Sequence, residues 1–296
     1  MSHFDIPFED KNSERKMLYR RIERICRDVK ARVFDNCVRV RDVWFRDGRY
    51  AWNETDKGEW RPFGDEEYWG RREQYCWFRQ KVTIPESFRG REVVYAVDPM
   101  PESGWHSRCF QFILFVDGVM VQGMDLNHTY AILTNCAKGG ETYEIALNAY
   151  CDDNDFRGQA KFHAYLKTRD TAARDLYYDL SVPLCVAHQY GADDLPRVHI
   201  LKALNTAVNM VDLFSSDNDA FRASAKQASA YLHAHLYGSE SPVKVSAIGH
   251  THIDTAWRWR LLQTRDKAAR SFASVLALMR EYPDYKFMSR QQAAKS

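Results

Sequence analysis

Two histidines and an aspartate alternate late in this chain, directly after a short apolar run. The run covers residues 243–248 and is predicted to be a strand, and His250, His252 and Asp254 follow it. Because successive side chains of a strand point to opposite faces, the three would project together if the extended geometry continued. Imidazole nitrogen and carboxylate oxygen suit a borderline divalent cation, usually zinc. The spacing predicts a metal site at the carboxyl end of a strand, where α/β folds place their active sites.

The motif alone is compatible with more than one kind of site. The three side chains could be hydrogen-bonded polar residues of a tight turn. A metallo-β-lactamase-like site requires another histidine directly after the aspartate, where this chain has Thr255. An amidohydrolase site, with His-x-His at the end of its first strand, agrees with the spacing but is disfavoured because no further histidine follows Arg265. The surrounding sequence must therefore decide between them.

The composition does not indicate a charged partner. The 296 residues include 42 Lys and Arg and 40 Asp and Glu, so the net charge is +2. This balance argues against nucleic acid or an anionic membrane as a partner. The amino terminus lacks the apolar run of a signal peptide, and no later run could span a membrane, so we expect a cytoplasmic protein. The seven cysteines form no Cys-x-x-Cys pair, which argues against a disulfide framework or a thiolate zinc site.

The elements that position the motif begin with one amphipathic helix. Apolar residues recur at spacings of three and four over residues 13–33, with charged residues between them. The apolar positions are Leu18, Ile22, Ile25, Cys26, Val29 and Val33. The pattern predicts an amino-terminal helix, assigned to residues 1–35.

From residue 75 onward apolar and polar residues alternate, which is typical of half-buried strands. Asp117-Gly118 lies between two apolar runs and is a strong signal for a β-hairpin. Further strand-like runs cover residues 130–134, 143–150, 161–166 and 176–186. Short strands at this spacing predict an antiparallel β-sandwich domain over residues 36–190.

The pattern becomes helical after residue 188. Apolar spacing predicts helices over residues 195–214 and 221–236, and Gly238 would end the second. These helices form a predicted helical linker region at residues 191–242. The strand with the metal motif then opens the last segment, residues 243–296, and a further helix with an apolar face follows the motif.

The last segment carries a recognisable string. AIGHTHIDTAW, followed by QTR, KAARSF and EYPDYKF, closely resembles the opening of the catalytic domain of glycoside hydrolase family 38, the α-mannosidases of the cytosolic and bacterial type. The order of elements is also similar, since these enzymes place a helix, a β-sandwich and a helical connection before a catalytic α/β barrel. The resemblance therefore implies a mixed fold: an amino-terminal helix, an antiparallel β-sandwich, a helical connection and the first βα unit of that barrel.

The resemblance implies a zinc-dependent retaining α-mannosidase that acts on α-mannoside oligosaccharides. His252 and Asp254 would be zinc ligands, and Trp257 would form part of the wall around the mannose ring. His250 would support the ligand pair without binding the metal itself. In this family zinc grips sugar hydroxyls, while a nucleophilic carboxylate and an acid/base carboxylate act on the anomeric carbon.

The family's nucleophile, acid/base carboxylate and remaining zinc ligands are expected beyond Ser296, so the sequence predicts no catalytic carboxylate within this chain. We therefore expect the 296 residues alone to be inactive as a truncated α-mannosidase. The alternative is a non-catalytic module that binds carbohydrate or a partner chain. A homo-oligomer is left open.

Overall fold

A computed structural model describes residues 13–54, 57–98, 110–125, 127–152, 160–215, 217–237, 245–257 and 259–289. Contacts divide the chain into two units. The first comprises Met1–Asn36 and Arg169–Lys244, and the second comprises Cys37–Thr168 and Val245–Ser296. The predicted division into four domains remains a prediction.

The second unit contains two antiparallel sheets formed mainly by the first twelve strands of the chain. These are β1 (Phe34–Val40), β2 (Val43–Asp47), β3 (Arg61–Phe63), β4 (Tyr68–Trp69), β5 (Tyr75–Thr83), β6 (Glu92–Asp98), β7 (Phe110–Val116), β8 (Val119–Met124), β9 (Tyr130–Thr134), β10 (Thr142–Cys151), β11 (Ala160–Lys161) and β12 (His163–Arg169). One sheet has the order β3-β2-β5-β10-β7-β8 and the other β1-β12-β6-β9. The predicted antiparallel sandwich is confirmed.

The alternation of buried and exposed residues along β5 shows which face of the strand packs into the core. Cys76, Phe78, Gln80 and Val82 are all buried, whereas Arg79 and its odd-numbered neighbour Lys81 are exposed. Since alternate side chains share a face, one row of β5 packs into the core. Aromatic rings from other strands and loops complete this core, and the Phe78 ring stacks on Phe162 with centroids 4.0 Å apart.

The hairpin predicted at Asp117-Gly118 is confirmed. β7 and β8 pair antiparallel, and Val116 lies opposite Val119 with two residues between them. Asp117 and Gly118 have φ angles of 48° and 78°. Positive φ at both central residues is the requirement of a type I′ turn, for which Asp-Gly is well suited.

The first unit is helical and has its own core. It contains α1 (Ser13–Ala31), α2 (Thr171–Ala187), α3 (Leu195–Met210) and α4 (Asn218–Leu232), followed by one π-helical turn at His233–Tyr237. The helices predicted over residues 13–33, 195–214 and 221–236 are confirmed apart from their ends. Ile22, Cys26 and Val29 are buried in this core, as the spacing predicted.

The strand predicted over residues 176–186 is wrong, because this segment lies in α2. Leu176, Leu180 and Leu184 recur every fourth residue and are fully buried against the other helices. Asp170 begins the helix, since its side chain accepts a hydrogen bond from the Ala173 backbone N–H at 3.0 Å. The high apolar content suggested a strand, but the spacing of the buried residues is that of a helix.

The last described elements form a βαβ unit. β13 (Gly249–Thr251), α5 (Leu261–Glu281) and β14 (Phe287–Ser289) follow one another, and β13 pairs with β14 in parallel. The helix predicted after the motif is therefore confirmed. The strand predicted at residues 243–248 is wrong where it is described, because residues 245–248 are exposed and not extended in a sheet. The strand instead begins at Gly249, the first residue paired with β14.

No described helix combines the length and hydropathy that crossing a bilayer requires.

Candidate active site

The predicted metal ligands lie in the loop that joins β13 to α5. His252 and Asp254 follow β13 directly, and His252 Nε2 lies 2.8 Å from Asp254 Oδ1. About two thirds of the His252 side chain and less than half of the Asp254 side chain are exposed. The structure thus brings together, at the carboxyl end of a parallel strand, the two side chains to which the sequence assigned metal binding.

His250 and Trp257 flank this pair in sequence. His250 belongs to β13 itself, where it lies opposite Met288 of β14, and its side chain is exposed. The Trp257 side chain is also exposed, at 63%, and its ring meets that of Trp259 edge-to-face with centroids 5.9 Å apart. An indole this exposed is of a type that can contact an apolar or sugar ring. The supporting role of His250 and the sugar-binding role of Trp257 remain predictions.

A residue that the sequence analysis did not single out holds this loop together. Thr264, in the first turn of α5, accepts hydrogen bonds from the Ala256 backbone N–H at 3.1 Å and the Trp259 indole N–H at 3.0 Å. Its hydroxyl also lies 3.4 Å from the Asp254 carbonyl oxygen, to which it donates. Ala256 has a φ of 52°, a left-handed conformation that costs energy in a residue other than glycine. The threonine contacts therefore stabilise a strained loop, and the QTR string was the only sequence signal for them.

Replacing this hydroxyl is expected to loosen the loop without unfolding the chain. Thr264→Val keeps the shape of the side chain but removes an acceptor of two hydrogen bonds. A loss of about 1 kcal/mol in local stability, and so about fivefold faster amide exchange at Ala256, is expected. Hydrogen exchange measured by NMR checks this, with Thr264→Ser as the control that retains the hydroxyl. Unchanged exchange at Ala256 in Thr264→Val would show that the hydroxyl does not hold the loop.

The helix that follows the loop is anchored on the sandwich by buried and partly buried polar contacts. The Gln263 side-chain amide donates to the Tyr150 hydroxyl on β10, and the Tyr75 hydroxyl on β5 donates to Asp266 Oδ2 at 3.0 Å. The Tyr75 and Tyr150 rings lie 4.4 Å apart between centroids. Burial raises the pKa of the Tyr75 phenol, and the neighbouring Asp266 carboxylate adds to this effect. Both features keep the phenol protonated and able to donate.

A close approach of backbone to backbone positions the middle of the same helix. The Gly123 N–H on β8 donates to Ser274 Oγ at 3.2 Å. A Cβ atom at residue 123 would lie 2.8 Å from the carbonyl oxygen of Arg270. Only glycine allows this spacing, since real Cβ atoms do not approach so closely. The contact fixes α5, and with it the loop, against the edge strand of the sandwich.

The donor set of the site fits two ligands of a zinc ion. An imidazole nitrogen and a carboxylate oxygen 2.8 Å apart are close enough to share one cation. In the part of the chain that the structure describes, no group of three His, Cys, Asp or Glu side chains converges. Structural zinc sites use four protein ligands and catalytic sites three, so His252 and Asp254 would supply only part of such a set.

The chain combines a β-sandwich with a βα unit that carries a histidine–aspartate pair. Two family models match these two parts of the chain. Residues 38–180 match the family model "Alpha-mannosidase, jelly roll domain". Residues 242–295 match the model "Glycosyl hydrolases family 38 N-terminal domain". The resemblance to the amino-terminal portion of family 38 α-mannosidases is confirmed.

The individual proteins to which the chain is similar are also named as α-mannosidases. Alpha-mannosidase G of Dictyostelium discoideum is 25% identical over 74% of this chain and 21% of its own length. Alpha-mannosidase 2C1 of Homo sapiens is 27% identical over 89% of this chain and 26% of its own. Alpha-mannosidase of Saccharomyces cerevisiae is 32% identical over 47% of this chain and 13% of its own. The chain thus spans about a quarter or less of the curated relatives it matches.

Proposed function

We propose that this chain is the amino-terminal part of a zinc-dependent retaining α-mannosidase whose substrates are α-mannoside oligosaccharides. The observation that carries the proposal is the contact between His252 and Asp254 at the carboxyl end of β13, within the segment that matches family 38. The names of the relatives support the substrate class. A cytoplasmic location is part of the same proposal.

The residues of this chain would bind the metal, contact the sugar and keep the loop between β13 and α5 in position. His252 and Asp254 would bind zinc, which supplies Lewis acidity toward the hydroxyls of the sugar when it is bound. Trp257 would stack on one face of the mannose ring, because its indole is exposed and lies three residues after Asp254 in the same loop. Thr264 would keep the loop that carries all three in position, through its contacts with Ala256 and Trp259. His250, one strand position before the loop, would support the ligand pair.

Bond cleavage requires groups additional to these. A retaining glycosidase uses a nucleophilic carboxylate and an acid/base carboxylate about 5 to 5.5 Å apart. Asp254 lies against His252 and is assigned to the metal, so it is unavailable as the nucleophile. The 296 residues alone are therefore proposed to have no turnover.

A binding module remains the alternative function for the isolated chain. The exposed Trp257 supports it, because an exposed indole offers a stacking surface for sugar. The two functions differ in what an extended protein does, since only an enzyme gains activity when the catalytic domain is completed.

The test is release of a chromophore from an aryl α-mannoside with added zinc. The 296-residue chain is expected to show no release above buffer, whereas a chain extended by the remainder of a family 38 catalytic domain is expected to be active. The matching aryl β-mannoside is the control substrate and should not be cleaved by either protein. Activity of the 296-residue chain would show that the catalytic groups were misassigned, and an inactive extended protein would favour the binding module.

A further inference from the structure

The amino-terminal helix α1 carries an excess of positive charge. It contains seven Lys and Arg residues against three Asp and Glu residues, a net charge of +4, whereas the whole chain has a net charge of +2. The overall composition does not reveal this excess, because the remaining residues are acidic on balance. The arrangement of the charges around the helix determines whether they form a surface.

Four of the basic side chains lie on one exposed face of α1. They follow one another at spacings of four, four and three residues, and all four are exposed. Residues three and four apart are neighbours on the surface of a helix, so these form a continuous stripe. The buried residues of α1 pack into the core of the helical unit on the other side. The basic face of α1 consists of Lys16, Arg20, Arg24 and Arg27.

The basic face is largely without carboxylate partners. Arg24 Nε lies 4.0 Å from Asp28 Oδ2, at the limit of an ion pair. The other three side chains of the face make no hydrogen bond or ion pair within the described ranges, and neither Glu14 nor Glu23 of α1 pairs with them there. Like charges three and four residues apart destabilise a helix. Such local conflicts occur mainly where a function requires them, so the basic face favours an anionic partner outside the helical unit.

The other basic residues of α1 contact neighbouring helices or the loops between them. Arg15 lies 2.8 Å from Asp193 Oδ1, and Arg21 donates to Asn205 Oδ1 at 2.7 Å. The Lys30 ammonium lies 5.2 Å from the centroid of the Tyr177 ring. These residues therefore serve the packing of the helical unit, whereas the basic face is directed to solvent.

The chemistry of the face indicates which kind of anion it fits. Three of its four members are arginines, whose planar guanidinium pairs with both oxygens of a carboxylate at once. The single aromatic residue of α1, Tyr19, is buried, so the helix offers no ring on which a nucleic-acid base could stack. Binding in a membrane interface requires an exposed apolar face, and that of α1 is buried in the core apart from Met17, which is 70% exposed. Carboxylates of a protein segment fit best.

We propose that the basic face of α1 binds an acidic helical segment of a partner protein. Carboxylates four residues apart on such a helix lie about 6 Å apart along its axis, which is the interval between Lys16, Arg20 and Arg24. Two helices side by side would then form several charge-assisted pairs together, as the charged flanking positions of coiled coils do. The surface involves neither the metal ligands nor the sugar, so its test is independent of the proposed mannosidase function.

The test is fluorescence anisotropy of a labelled, alanine-based helical peptide titrated with the 296-residue chain at low ionic strength. The peptide carries four glutamates at spacings of four, four and three residues. Saturable binding is expected, and added salt should weaken it by screening the charges. The triple variant Lys16→Gln/Arg20→Gln/Arg27→Gln should bind at least about tenfold more weakly, because three ion pairs are lost together.

The matched control removes three exposed charges from other elements, and so changes the net charge by the same amount. It is Lys81→Gln/Lys138→Gln/Lys226→Gln, which should bind the peptide as the parent does. Urea unfolding should give the same midpoint for both triple variants and the parent, since all six side chains are exposed. If the first triple variant fails to fold, Arg20→Gln alone should still weaken binding about threefold.

Three outcomes would overturn the proposal. The first is equal binding of the peptide by the two triple variants, which would show that net charge and not the basic face attracts it. The second is no saturable binding of the peptide by the parent. The third is tighter binding of a single-stranded RNA or of phosphatidylserine vesicles than of the peptide, which would assign the face to a nucleic acid or a membrane surface.

Discussion

Asp254→Asn is expected to reduce kcat/KM on an aryl α-mannoside by at least about a hundredfold in a protein extended through the catalytic domain, because Lewis-acid stabilisation by a bound metal amounts to several kcal/mol. His252→Ala should have an effect of the same size, since the two side chains are in contact and are assigned to one ion. An amide is a weaker ligand than a carboxylate and leaves the charge of the cation unbalanced. Initial-rate kinetics with saturating zinc measure both effects.

Asp284→Asn is the matched control for this substitution. Asp284 is exposed and lies between α5 and β14 of the same βα unit. The control should leave kcat/KM within about twofold of the parent, since exposed substitutions away from such features usually have small effects. An Asp254→Asn protein as active as Asp284→Asn would remove Asp254 from the metal site and leave the assignment of His252 without support.

The second large effect is expected in the helical unit, where one arginine joins three carboxylates. Arg222 Nε lies 2.5 Å from Asp170 Oδ2, and its two terminal nitrogens lie 2.9 Å from Asp35 Oδ2 and 2.8 Å from Asp219 Oδ1. The Asp170 and Asp35 side chains are only 5% and 14% exposed. Arg222→Met would remove the guanidinium that neutralises both of these buried carboxylates. A loss of about 3–5 kcal/mol in the free energy of unfolding is expected, which is the usual result of breaking a buried ion pair.

Urea unfolding followed by far-UV circular dichroism measures this loss, since the unit is helical. Arg24→Met is the control: Arg24 lies on α1 with its Nε 4.0 Å from Asp28, and both side chains are largely exposed. A surface pair of this kind contributes about 0.3–0.5 kcal/mol. If Arg222→Met and Arg24→Met unfold at the same urea concentration, the carboxylate cluster does not stabilise the unit.

Sequence patterns predicted the fold best where a local rule has a single structural consequence. Asp117-Gly118 predicted a type I′ hairpin because few other dipeptides tolerate two positive φ angles, and the turn is found there. The helix at α1 followed from apolar spacing for the same reason, since Ile22, Cys26 and Val29 can share a face only in a helix.

The patterns failed where a partner distant in sequence decides the structure. Residues 245–248 have the apolar composition of a strand, but β13 begins where β14 is available to pair, at Gly249 opposite Phe287. α2 was mistaken for a strand because its many apolar residues obscured the helical spacing of Leu176, Leu180 and Leu184. In both cases composition indicated burial without indicating the geometry of the burial.

In the candidate site, too, some features follow from local sequence and others depend on contacts between distant parts of the chain. The alternation of His252 and Asp254 and the string around them were enough to identify the pair and its chemistry, because ligand type and spacing are local properties. The contact of Gly123 with α5 carries no local signal of this kind. It arises only when α5 packs against β8, since a helix and a strand separated by more than a hundred residues meet through the folded chain alone.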